Sequence, residues 1–88
     1  MTNPTGLTSA FVARVAPDCN ILCATIIPNL YGLPGPDCAY GVAVGPDGLA
    51  YEVGCMANPF GFSTAFVSRA TPHCKVLCVS EIPNVFGL

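Results

Sequence analysis

The sequence predicts a small, disulfide-stabilised all-β domain of about three β-hairpins, laid out arm–centre–arm as an internal pseudo-twofold repeat. Three observations predict it. Apolar, β-rich runs with a period of two recur along the chain. Nine Pro and nine Gly divide 88 residues, so no stretch holds a 3.6-residue apolar period long enough for a helix. The chain also matches itself. A shift of 55 residues aligns 1–33 with 56–88, and 17 of those 33 positions are identical. The expected organisation is a single domain, 1–88, in which the repeats 1–33 and 56–88 flank a central hairpin, 34–55.

The elements follow in order. AFVARV (10–15) and NILCATII (20–27) read as two strands joined by the Pro-Asp turn of APDCN. Pro28 cannot donate to a ladder, so it ends the second strand or lies at an edge. The centre, CAYGVAVGPDGLAYEVGC, carries Gly45-Pro46-Asp47-Gly48. There Pro presets φ at the second turn position, Asp suits the third, and Gly takes the positive φ that follows. AFVSRA (65–70), TPHCK and VLCVSEI (76–82) then repeat the first hairpin, and Pro83 repeats Pro28.

Six cysteines, Cys19, Cys23, Cys38, Cys55, Cys74 and Cys78, are the disulfide candidates. Cys19 and Cys23 are four residues apart. In an extended strand their α-carbons stand roughly 13 Å apart, beyond the ~7 Å that a disulfide spans. The same holds for Cys74 and Cys78. Pairing from arm to arm, or from arm to centre, is therefore expected. With Gly45 facing Leu49, Cys55 falls opposite Ala39 and Cys38 opposite Met56, so a Cys38–Cys55 clasp requires neighbours on nominally opposite faces. Fifteen connectivities remain open to six cysteines, some of them between chains. The paired C-x3-C spacing also admits a thiolate metal site, with His73 as a further ligand. Only one repeat carries that histidine, Asp18 taking its place in the other, so disulfides are expected and no metal or other cofactor.

Composition narrows the function classes. Hydrophobic residues make up 52% of the chain and charged residues 9%, against about 25% charged in an ordinary soluble domain. A chain this short has a marginal core, and the usual compensations are covalent staples or association. The apolar surplus points to surface covered by neighbouring chains. Arg14, Arg69 and Lys75 are the only Lys or Arg, and the net charge is −2, which argues against a nucleic-acid partner. Pro or Gly interrupts every apolar run well before the ~18 residues of a membrane span. The opening MTNPTGLTSA has neither the basic start nor the long apolar stretch of a signal peptide.

No catalytic residues are expected. His73 lies in a turn with no nucleophile or orienting carboxylate marked beside it. Asp18, Asp37 and Asp47 occupy turn contexts, and GPDG is a hairpin turn with no helix after it to bind phosphate. The aromatic residues Phe11 and Phe66, with Tyr31 and Phe86 in the IIPNLYGL and EIPNVFGL tails, are the candidate assembly contacts. Exposed edge strands with few charges invite pairing with another chain. A near-copy at each end of the chain also permits head-to-tail contacts.

Two resemblances bear on these expectations. YGVAVGPDGLAYEVGC (40–55) resembles the Tyr…Cys-Gly-x-Asp-Gly-x-x-Tyr…Cys stretch of Kazal-type protease inhibitors through Tyr40, Gly45, Asp47, Gly48, Tyr51 and Cys55. Val44 stands where that family has a cysteine, and the residues before Tyr40 are too few to form the family's reactive loop between its cysteines. In size, apolar content, paired hairpins and dense cysteines the chain is similar in character to fungal hydrophobins, without their Cys-Cys doublets. The reading that results is a non-enzymatic structural subunit, extracellular or on a cell or spore surface. It partners itself as a fibre, coat or interfacial layer. The alternative is a secreted binding module such as a Kazal-like serine protease inhibitor.

Overall fold

A computed structural model of the chain describes residues 1–83. Six antiparallel strands make three hairpins: β1 (Phe11–Val15) with β2 (Ile21–Ile26), β3 (Cys38–Val44) with β4 (Ala50–Ala57), and β5 (Ser63–Ala70) with β6 (Val76–Glu81). They form two sheets. β1–β2 stands alone, while β3, β4, β5 and β6 make one four-stranded sheet in that order. The central hairpin therefore pairs along its length with the last hairpin, through β4–β5, and not with the first.

The three turns are built alike. Gly48 N–H donates to Gly45 C=O at 3.0 Å and Gly45 N–H to Leu49 C=O at 2.9 Å, with Gly48 at φ +79°. The Asp47 carboxylate accepts the Leu49 N–H at 3.0 Å. Cys19 N–H donates to Ala16 C=O, and Cys74 N–H to Thr71 C=O, both at 2.9 Å. The position that Gly48 takes with ease is thus held by cysteines in the other two turns, Cys19 at φ +70° and Cys74 at φ +63°. Side chains rarely adopt this conformation, and each instance costs on the order of 1 kcal/mol or more. Both proline signals hold: β2 stops two residues before Pro28 and β6 two before Pro83.

The first and last hairpins also share their register. Phe11 faces Ile26 and Arg14 faces Cys23; Phe66 faces Glu81 and Arg69 faces Cys78. Each has a bulge at the same place, between Arg14 and Val15 and between Arg69 and Ala70.

The core lies where the first hairpin stacks on one face of the four-stranded sheet. Ala10, Val12 and Ile27 come from the first hairpin and its flanks; Met56, Phe66 and Ala70 come from β4 and β5, with Val76 and Val79 of β6 packed against them. It is a thin core. A polar cluster closes one end: the Asn29 amide donates to the Asp37 carboxylate and to Ala57 C=O, each at 3.0 Å. The same Asp37 oxygen accepts the Ala57 N–H at 3.0 Å, which satisfies a carboxylate that is otherwise buried.

Candidate functional site

Two features gather the chemistry of this chain: its cysteines and its uncovered apolar surface. One disulfide is formed. Cys23 of β2 bonds to Cys74 in the β5–β6 turn, 51 residues away in sequence. It is an arm-to-arm bond, and neither cysteine pairs within its own C-x3-C. Beside it, the Arg14 guanidinium donates to Pro72 C=O at 3.1 Å, so two contacts tie β1–β2 to the last turn.

Cys19, Cys38, Cys55 and Cys78 are free thiols. Cys38 and Cys55 face each other directly across β3–β4. This corrects the sequence-based register, which set Cys55 against Ala39 and Cys38 against Met56. The physical reason is a bulge at Tyr40, between Ala39 and Gly41. The extra residue turns the two cysteines onto the same face. Gly54 allows the close approach this requires, because a Cβ there would stand 2.0 Å from Cys38 C=O. Cys38 and the charge it carries when ionised, with Cys55 adding to it, push the Tyr40 hydroxyl above its ordinary pKa. Cys78 lies exposed on β6, where the Arg69 Nε–H reaches its sulfur at 3.4 Å. Cys19 is exposed at the tip of the first turn.

The aromatic candidates separate. Phe11 is 43% exposed, on a face of the first hairpin that also carries Val15, Ile21 and Ile26, all exposed. Phe66, at the equivalent place in the last hairpin, is completely buried. It fills the core and has no surface to offer a neighbour, contrary to its expected role as a contact. Tyr31 is half-buried, its N–H donating to the Asn29 side chain at 2.8 Å. Phe86 lies outside the described residues.

Sequence reasoning missed Glu52. It is only 2% exposed, on the inward face of β4 in step with Met56. One carboxylate oxygen accepts the Ser68 hydroxyl at 2.8 Å, and the other has no partner. Burial raises its pKa, and the Ser68 hydrogen bond opposes the rise. It lines a cavity of about 310 Å³ with Phe11, Val12, Ala39, Tyr40 and Val42. The available signal was its alternation with Ala50, Gly54 and Met56, which puts a charged residue on an otherwise apolar face. Asp47, in contrast, is held below its ordinary pKa by the Tyr51 hydroxyl at 2.7 Å and by the Leu49 N–H.

Among the described residues no group of three or more His, Cys, Asp or Glu is placed to hold a metal ion. No helix among them is long and apolar enough to cross a membrane. No protein-family model, curated protein or solved structure matches the chain.

Proposed function

We propose that this protein is a non-enzymatic structural subunit that assembles with copies of itself into a fibre, coat or interfacial layer, at an extracellular, cell or spore surface. One observation carries the reading. Phe11, Val15, Ile21 and Ile26 stand on one apolar face of the β1–β2 sheet, and among the described residues each remains at least 43% exposed. A soluble monomer gains no stability from leaving such a face in water, and contiguous apolar surface of this kind marks an interface. The scarcity of charge supports the reading, since three Lys or Arg and five Asp or Glu do little to keep chains apart. The pseudo-twofold reading belongs here as well: two arms of one design flank the central hairpin and offer two related surfaces. Static light scattering and electron microscopy test the proposal. Concentration-dependent particles much larger than one chain are expected; a monomer at all concentrations overturns it.

The runner-up, a secreted binding module of Kazal-like type, draws on the exposed edge strand β3, where Tyr40, Val42 and Val44 stand in solvent beside the GPDG turn. A peptide can add to such an edge. Inhibition of a serine protease by the monomer would favour it over assembly.

A further inference from the structure

The first and last hairpins are identical at 9 of 18 positions (10–27 against 65–82) and share the same register, yet they turn opposite faces inward. In the first, the Arg14 face packs inward, burying Ala10 and Val12. In the last, the Phe66 face packs inward. Inside one molecule the Arg14 face of β1–β2 therefore lies on the Phe66 face of β5–β6, with Cys23–Cys74 and the Arg14–Pro72 hydrogen bond as its fastenings.

The two faces left over are the counterparts of the two that are used. Phe66 and Ala70 are fully buried, while their counterparts Phe11 and Val15 are 43% and 50% exposed. Val12 is buried and its counterpart Val67 is half-buried; Ala10 is buried and Ala65 is exposed. Cys74 is buried in its bond, and Cys19, in the same left-handed turn conformation, is an exposed thiol. Cys23 is bonded, and Cys78, likewise opposite an arginine, is an exposed thiol.

We propose that the chain docks head to tail on copies of itself, the Arg69–Cys78 face of one molecule seating on the partner's Phe11–Val15 face and a disulfide joining Cys78 to the partner's Cys19. This rests on the self-assembly reading and names its partner, surface and bond. The contact repeats between molecules the one already made within each. Its charges fit better than the internal ones. Where the internal contact sets Arg14 beside the His73 turn, the external one brings Arg69 to the partner's Asp18, a carboxylate at the equivalent place. The receiving face is also more apolar, with Ile26 where the last hairpin has Glu81. A contact between two different surfaces of one chain does not saturate in a pair; it continues as an open filament unless it closes into a ring. The covalent step needs an oxidant, and a small disulfide such as oxidised glutathione serves. The Cys78 thiolate displaces one glutathione to give a mixed disulfide, and the partner's Cys19 thiolate displaces the second. Two thiols are oxidised and one glutathione disulfide is reduced to two thiols.

The test is oxidation of the full chain, in a C38S/C55S background, with the glutathione couple, followed by non-reducing electrophoresis and peptide mapping. A ladder of covalent oligomers with a Cys19–Cys78 peptide is expected. Cys19→Ser or Cys78→Ser alone leaves monomers, and a mixture of the two gives covalent dimers and nothing longer. Val15→Asp, at an exposed position that leaves the fold intact, buries a carboxylate only on docking. It lowers ladder yield by at least about tenfold, a difference of ~1.4 kcal/mol. Oligomers joined through other cysteines, or a Cys19–Cys78 bond within one chain, overturn the proposal. Particles seen by light scattering in the same samples without the Cys19–Cys78 peptide overturn this docking mode and leave self-assembly standing. Monomers throughout overturn both.

Discussion

Cys23 and Cys74 are bonded across 51 residues of sequence, and this bond joins two sheets that share no backbone ladder. The core between those sheets is small, so the staple carries much of their attachment. Closing a loop of this length is worth about 4 kcal/mol through the entropy it removes from the unfolded chain. Cys23→Ser is expected to lower unfolding free energy by about that amount in denaturant titrations of the oxidised monomer. With Cys38 and Cys55 replaced by Ser in both proteins, reductant should bring the one that keeps Cys23 to the same value and leave the Cys23→Ser variant where it is.

Phe11 and Phe66 occupy equivalent places in the repeat and contrasting environments. Phe66→Ala empties a fully buried site and is expected to cost about 3–5 kcal/mol. Phe11→Ala removes a side chain that is 43% exposed and is expected to cost less than about 1.5 kcal/mol in the monomer. Chemical denaturation of the two variants side by side, below the concentration of assembly, measures the difference. Similar losses for both would mean that the first hairpin buries its Phe11 face instead.

That contrast marks where the sequence stops being informative. Turn chemistry was plain: Pro17-Asp18, Pro46-Asp47 and Pro72 sit where chain reversal needs them, and the strands fall within about two residues of the apolar runs. The choice of inward face was not. In FVARV both faces of the strand are apolar apart from Arg14, so alternation carries no polarity to orient it, and packing against the rest of the molecule decides. The separation of β1–β2 into its own sheet is likewise a long-range outcome, since its hairpin reads the same as β5–β6. The bulge at Tyr40 was hidden for a local reason. One extra residue shifts the register without changing composition, and it moved Cys38 to face Cys55.

Those two cysteines give the third prediction. Directly opposed residues on antiparallel strands have α-carbons about 4.5–5.5 Å apart, inside the range a disulfide spans. Mild oxidation with a small disulfide is expected to close Cys38–Cys55, seen as the loss of two hydrogen masses and one cross-linked peptide. Tyr40 reports the event. The Cys38 thiol and its charge, with Cys55, hold the phenol above its ordinary value, so closing the bond lowers its pKa back toward that value. Phenolate absorbance against pH, compared between wild type and Tyr40→Phe, follows the change. An unmoved Tyr40 titration after oxidation would argue against the pairing.

Glu52 makes the stability of the domain depend on pH in a definite direction. Its carboxyl is buried, with one oxygen on Ser68 and the other without a partner, and desolvation raises its pKa above the ordinary 4.5. The folded state therefore holds the Glu52 proton at pH values where the unfolded chain has released it. The stability from the protonated form is complete below the unfolded value and is lost as pH rises through the folded one. Asp47 has the opposite sign. Its pKa is lowered, so its contribution is present above the unfolded value and disappears only as pH falls through a more acidic folded one. The two slopes have opposite signs: that of Asp47 fades as pH rises above its ordinary 3.8, while that of Glu52 lies above its ordinary 4.5. Glu52→Gln keeps the shape of the protonated acid without the titration. It is expected to flatten the decline in unfolding free energy as pH rises from 4.5 to neutrality. At neutral pH the variant should be the more stable, on the order of 1 kcal/mol, the scale of a buried polar atom left unpaired. Denaturant titrations of both proteins at a series of pH values give the two slopes. A decline that persists unchanged in the variant would show that the ionised carboxylate at Glu52 is not its source.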